Sequence, residues 1–268
     1  MNERVRTIAA VALPPLLLAG ALLVLWEWAA QSGWMAEALN LSDFVVPAPS
    51  DVASALWENR SLLLENAWVT LREVLGGFAL ALISGVTIAV LQHLSPLARR
   101  AIYPFTVASQ AVPLVVIAPV LVVWLGFGFA PKVLIIALIC FFPICVNTLD
   151  GLATADAEQR KLMRSLGAGR LQTLRLLEAP TALPYLLSGA KVAVAVAVIG
   201  AVFGEWAGSD AGLGHLIQLD NGQFEVARLF ATTLVLGAMA ILLFGAVALL
   251  ERRVAWWGPG GAGAETGW

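Results

Sequence analysis

The sequence predicts an all-α fold, a polytopic membrane helical bundle of six transmembrane helices. Three observations carry that expectation. Hydrophobic residues make up 60% of the 268 positions and charged residues only 13%, whereas soluble domains hold about 45–50% and about 25% respectively. The apolar residues gather in runs of about 20, the length a helix needs to cross the hydrocarbon core of a bilayer. The shorter alternating segments of a transmembrane β-barrel do not occur. With 24 Gly and 13 Pro the chain is not low-complexity, and a net charge of −2 offers nothing to nucleic acid. Two Cys in so long a chain build no disulfide framework.

The spans are expected at residues 8–29, 67–91, 101–125, 132–149, 182–206 and 227–250. Before the first, Arg4 and Arg6 precede an apolar stretch in the manner of a signal peptide. The run is long, however, and ends in Trp26, Glu27 and Trp28, so it is read as an uncleaved helix with an interfacial anchor. Residues 31–66 form a loop in which Pro47 and Pro49 hold an extended entry and Ser50 or Asp51 caps an amphipathic helix. The third span contains Pro104, Pro113 and Pro119, each removing a backbone donor, with Ser109 and Gln110 just before the second. Such breaks survive in a membrane where neighbours or water satisfy the freed carbonyls, which makes this span a candidate lining of a pathway.

Positive charge sets the orientation. Arg4, Arg6, Arg99, Arg100, Arg160, Lys161, Arg164, Arg170, Arg175, Arg252 and Arg253 fall on one side, 11 of the 16 Lys and Arg. Both termini are therefore expected in the cytoplasm, in a bacterial inner membrane. The chain divides into a segment 1–30 with the first helix, the external loop 31–66, a core 67–250 with an inside loop at 151–181, and a disordered tail 251–268.

The inside loop is the richest segment. Asp156, Glu158 and Gln159 open a helix with acids where they complement the dipole. Arg160 and Arg164 share one face and Leu162 and Leu166 another. Gly167-Ala168-Gly169 ends that helix, and Leu171, Leu174 and Leu177 belong to a second one reaching Pro180. A loop that only joins two spans has no use for exposed leucines, so this one is a docking element.

Ser165-Leu166-Gly167-Ala168, Leu177-Glu178-Ala179-Pro180 and Ala182-Leu183-Pro184 resemble the EAA loop of bacterial ABC-transporter permeases. Gly167 matches the loop's Gly, and Leu177 and Pro180 match the ends of its last element. The chain departs from the pattern at the triplet, which reads Lys161-Leu162-Met163, and at Ala179, where Leu is usual. Val46-Pro47-Ala48-Pro49-Ser50, Trp124 to Gly128, Phe141-Phe142-Pro143 and Gly212-Leu213-Gly214 resemble the nitrate/sulfonate/taurine branch of these permeases. Ala108 to Pro113 and Gly204 to Gly208 look like members proposed to carry thiamine-precursor pyrimidines or related vitamins.

The resemblance implies a type I importer fold. Its partners would be a second copy of the permease, two cytoplasmic ATP-binding subunits, an external solute-binding protein and the lipid bilayer, with no nucleic acid. It assigns ATPase coupling to Lys161, Met163, Arg164, Ser165, Leu166, Gly167 and Ala168. The chain has no GxxxxGK[ST] loop, so ATP and magnesium would sit in the partner subunits, and no cofactor or catalytic residue is expected here. Ser109, Gln110, Asn147, Glu205 and Trp206 are the candidate pathway or gating residues, because polar groups within spans are costly and tend to be functional. For Asn147 a bond between helices, and for Glu205 an interfacial or structural pair, are equally open readings. Lys191 is expected to snorkel inward, with a gating ion pair as the alternative, and Arg72 and Glu73 to pair with each other. Cys140 and Cys145 lie on different faces, and no His, Cys or Asp cluster has metal-ligand spacing. The rival reading is an ion-coupled secondary transporter, which should show internal repeats and acids deep in the spans.

Overall fold

The computed structural model describes residues 3–39, 45–255 and 257. Every regular element among them is helical. In order these are α1 (Glu3–Gln31), α2 (Trp34–Leu39), α3 (Pro49–Glu58), α4 (Arg60–Leu94), α5 (Pro96–Ala108), α6 (Leu114–Leu125), α7 (Phe129–Ala153), α8 (Ala157–Ser165) and α9 (Arg170–Thr173). A π-helical turn, Leu174–Glu178, leads into α10 (Ala179–Gly208), and α11 (Leu213–Gln223) and α12 (Val226–Val254) complete the chain. Among the described residues, five helical runs are long and apolar enough to cross a membrane: Leu13–Gln31, Arg60–Leu94, Phe129–Ala153, Arg170–Gly208 and Val226–Val254. The third expected span is two helices instead of one. α5 closes at Ala108, Pro113 precedes α6, and α6 is a shorter apolar helix. Pro113 has no N–H to continue the ladder, so the break falls where the prolines put it. The expected disordered tail 251–268 begins later than expected: residues 251–254 are the last turn of α12, and 258–268 lie outside the described residues.

The chain separates into two compact units. The first joins Met1–Glu65 to Leu216–Val235. In it α3 buries Val52 and Ala55 against Leu63, Leu216 and Ala231. The helix starts one residue before the expected caps. Pro49 opens it, its fixed φ suiting the first helical position, and the Asp51 carboxylate accepts the Ala48 N–H at 3.0 Å. Glu27, near the end of α1, accepts the Ser50 hydroxyl at 2.7 Å and the Ser50 N–H at 3.0 Å, fastening the start of α3 to α1. Arg228 pairs with the buried Asp220 at 2.7 Å.

The second unit, Asn66–His215 with Leu236–Trp268, is built around α7. Between helices in a bilayer, lipid removes most of the hydrophobic drive, so close backbone approach through small residues has to hold them. α10 supplies Ala190, Ala193, Ala197 and Ala201 at helical spacing, all buried. At Gly189 the approach is tightest toward Pro143 and Asn147 of α7: a Cβ there would stand 2.6 Å from the Pro143 carbonyl oxygen. On the other side Ala89 of α4 packs with Cys145 and Leu149, and α6 places Ala118 and Leu121 on Ile135.

Candidate functional site

The segment 154–178 takes its shape from three caps and the prolines that follow it. Asp156 precedes α8, and its carboxylate accepts the Glu158 N–H at 2.7 Å, satisfying one of the open donors of the first turn. α8 ends in a Schellman arrangement, in which Ala168 N–H reaches the Met163 carbonyl at 2.9 Å and Gly167 N–H the Arg164 carbonyl at 3.0 Å. The arrangement requires a left-handed residue, and Gly167 supplies it at φ 78. Gln172 then accepts the Gly169 N–H at 2.8 Å to start α9. The π-turn follows because Pro180 and Pro184 bring no N–H to the carbonyls one turn back. Trp257 donates its indole N–H to the Pro180 carbonyl freed in this way, at 3.3 Å.

Of the candidate coupling residues, Lys161 pairs with Glu158 at 2.8 Å and Ser165 donates to the Lys161 carbonyl at 3.1 Å. Met163 and Ala168 are half-buried, whereas Arg164, Ser165, Leu166 and Gly167 are exposed. The leucines divide. Leu162, Leu166, Leu171 and Leu176 are 59–74% exposed, whereas Leu174 is buried against Leu152 and Ala182. Leu174 thus belongs to the bundle, not to the exposed face.

One residue ties this segment to the membrane-long helices, and sequence reasoning gave it no role. Glu178, buried at the end of the π-turn, accepts Arg160 Nε at 2.7 Å on one oxygen and meets His93 Nε2 at 2.8 Å on the other. His93 lies in the last turn of α4, not in a loop. Arg160 also donates to the Leu152 carbonyl of α7 at 2.9 Å, and Arg170 to the His93 carbonyl at 3.3 Å. Beside this node is a recess of ≈ 370 Å³ lined by His93, Arg160, Arg164, Arg170, Thr173 and Glu178.

The second polar cluster stands at the other end of α10. Glu205, 1% exposed, accepts the Thr70 hydroxyl at 2.6 Å, the His215 N–H at 3.2 Å and the Gly214 N–H. Thr70 in turn accepts the Leu213 N–H at 2.8 Å, and Asn66 Oδ1 the Gly212 N–H at 2.7 Å. The open N–H groups at the start of α11 are therefore capped from α10 and α4, which is the work Glu205 does in this structure. Trp206 donates its indole N–H to the Gly214 carbonyl at 2.8 Å. Glu73 does not pair with its neighbour Arg72. Its carboxylate is buried against Lys132 of α7 and beside that of Glu205, while Lys132 Nζ also donates to Ser209 at 2.8 Å. Arg72 lies over the Trp68 ring, 5.8 Å from its centre.

Ser109 and Gln110 sit in the break between α5 and α6 and line a small recess of ≈ 150 Å³ with Leu114, Ile117, Leu138 and Ile139. The Ser109 hydroxyl is bonded to the Thr106 carbonyl at 2.7 Å, and Gln110 is exposed. Asn147 turns back on its own helix, donating to the Pro143 carbonyl at 2.7 Å, and packs under Gly189. Lys191 pairs with Glu251 of α12 at 2.5 Å, a partner at hand in place of a snorkelling path. The two cysteines are free and buried.

Comparison with known proteins agrees with this architecture. Residues 77–256 match the family described as binding-protein-dependent transport system inner membrane component. A probable ABC transporter permease protein of Haemophilus influenzae is 35% identical, covering 91% of this chain and 97% of that protein. The formylaminopyrimidine transport permease protein ThiX of Halalkalibacterium halodurans is 34% identical, covering 92% and 96%. In fold, the chain is similar to a chain of the MetNI methionine ABC transporter crystallised in inward-facing form. The TM-score is 0.65 at 18% identity, covering 73% of this chain and 97% of that one.

Proposed function

The chain belongs to the family of binding-protein-dependent transport system inner membrane components, and from that premise we propose how it works as the membrane permease subunit of an ABC importer. Family membership sets aside the ion-coupled carrier. In the proposed assembly two copies of the chain form the translocation pathway in a bacterial inner membrane, with both termini in the cytoplasm. Two separate ATP-binding subunits hold nucleotide and magnesium and hydrolyse ATP, and an external binding protein delivers the solute. The permease catalyses no bond cleavage.

The observation that carries this reading is the exposed leucine face on a segment anchored at Glu178. Leu162, Leu166 and Leu171 stand clear of the bundle beside Gly167, while Glu178 fixes their base to α4 and α8 through His93 and Arg160. Movement imposed on that face by the ATP-binding subunits would reach α10 as a push along one helical run. Ligand-driven switching of this kind requires that nucleotide bind the two states with different energies. Lys161, Met163, Arg164, Ser165, Leu166, Gly167 and Ala168 are the proposed coupling residues. Ser109, Gln110 and Trp206 remain the proposed pathway contacts, whereas the bonding of Asn147 and Glu205 favours holding helices in place.

For the solute we propose a small nitrogen heterocycle of the thiamine-precursor pyrimidine class, with nitrate, sulfonates or taurine less suited. The name of the 34%-identical relative supports it. So does the absence of a free deeply placed cation for an anion among the described residues, since Lys132 and Lys191 are both paired.

Affinity purification of the tagged chain from its native membrane tests the assembly. A stoichiometric ATP-binding subunit should co-purify. A chain that purifies alone and drives gradient-dependent uptake in liposomes would overturn the reading.

Gly167 offers a finer test. Nothing lies within 4 Å of a Cβ built there, so only the positive φ and a docked partner oppose a side chain. Asn tolerates the left-handed region, whereas a β-branched residue meets about 1–2 kcal/mol of strain or more. Both Gly167→Asn and Gly167→Val are expected to lose solute uptake while inserting normally, because the partner surface rests on this turn. Full uptake by Gly167→Asn alone would reduce the glycine's role to backbone geometry.

A further inference from the structure

The recess beside Glu178 has more positive charge than its own structure uses. Both Glu178 oxygens are engaged, one by Arg160 and one by His93. The Arg164 side chain makes no hydrogen bond or ion pair among the described residues, and that of Arg170 donates to the His93 carbonyl. Two exposed guanidinium groups therefore face a ≈ 370 Å³ opening without an anion. The same segment exposes Leu162, Leu166, Leu171 and Leu176.

Resting on the docking reading above, we infer that Arg164 and Arg170 receive one or more carboxylate side chains of the ATP-binding subunit, beside the exposed leucines of the same segment. Two features favour a protein carboxylate. An arginine pair with apolar surroundings is the composition of a protein–protein hot spot, and the guanidinium fork matches a carboxylate in two parallel bonds. The same segment exposes Asp156 and Glu158 at the start of α8, which a negatively charged lipid surface would repel and a protein surface can match.

Charge reversal with rescue tests the pairing. The whole transporter is purified in mild detergent, and ATP-binding-subunit affinity is measured for the wild type, Arg164→Glu and the Arg164→Glu, Arg170→Glu double variant. Thermal unfolding of the permease should be unchanged for Arg164→Glu, which breaks no internal bond. Affinity is expected to fall by roughly tenfold for the single variant and further for the double, since like charges facing each other at an interface cost several kcal/mol. A photo-crosslinker at position 164 should capture an acidic patch of the ATP-binding subunit, and converting that acid to Lys should restore binding to Arg164→Glu. Unchanged affinity in the double variant overturns the inference and leaves the docking reading standing. So does affinity that follows the anionic-lipid content of added vesicles, or a crosslink to lipid alone. A wild-type chain that retains no ATP-binding subunit removes both.

Discussion

Replacing Lys132 with Met is expected to cost the folded permease about 3–5 kcal/mol, the range for stripping one partner from a buried ion pair. Lys132 and Glu73 are 5% and 2% exposed, and the second oxygen of Glu73 already lacks a hydrogen-bond partner. Without the ammonium group, the Glu73 carboxylate would stand beside that of Glu205 with its own cation gone, in a setting with little water to screen it. Ser209 would lose its bond to Lys132 as well. The double variant Lys132→Met, Glu73→Leu removes the stranded charge together with its partner, and apolar replacement of a whole buried pair is often neutral. It should recover most of the loss. Thermal unfolding in one detergent, compared over the two single variants and the double, gives the coupling between them. Additive losses would mean that the pair contributes no more than the packing of its stems.

The same cluster shows where sequence reasoning stops. Length and apolarity alone place the membrane-long helices, because crossing hydrocarbon is a constraint on composition and not on detailed contacts. The break before α6 was equally legible, since proline acts locally. So was the turn at Gly167, where a capped helix, a basic last turn and a glycine stand in their usual order. Partnerships across the bundle were not. Arg72 and Glu73 are neighbours in sequence, and on a helix neighbours point in different directions. Glu73 therefore turns inward to Lys132 while Arg72 turns to Trp68.

Glu205 was recognisable as an acid near a span end. Its Thr70 partner lies 135 residues away, and its other partners are backbone N–H groups that carry no sequence signature. Charges inside apolar runs do announce that a partner exists, because an unpaired one is too costly in a membrane. They do not say which partner.

Glu178 follows that rule at the opposite end of α10, and its removal should separate transport from ATP hydrolysis. In Glu178→Ala, Arg160 and His93 both lose their carboxylate partner, and the segment 154–178 keeps the bonds from Arg160 to the Leu152 and Ala153 carbonyls, the bond from Arg170 to the His93 carbonyl and the packing of Leu174. Hydrogen bonds to charged groups contribute about 1.5–3 kcal/mol each. Losing two therefore shifts the balance between anchored and released segment by on the order of a hundredfold or more. The leucine face can still meet the ATP-binding subunits, so assembly should persist. What weakens is the rigid link from that face to α4 and to the start of α10. Solute uptake should fall by at least about tenfold, while ATP hydrolysis continues and no longer responds to the loaded binding protein. Glu178→Gln keeps an acceptor for Arg160 and a donor for His93, and should retain a measurable share of uptake. A purely structural role would act on stability alone, lowering the yield of both variants without changing the ratio of solute moved to ATP consumed. That ratio, measured in proteoliposomes with the complete transporter, decides whether Glu178 transmits motion or only holds the fold.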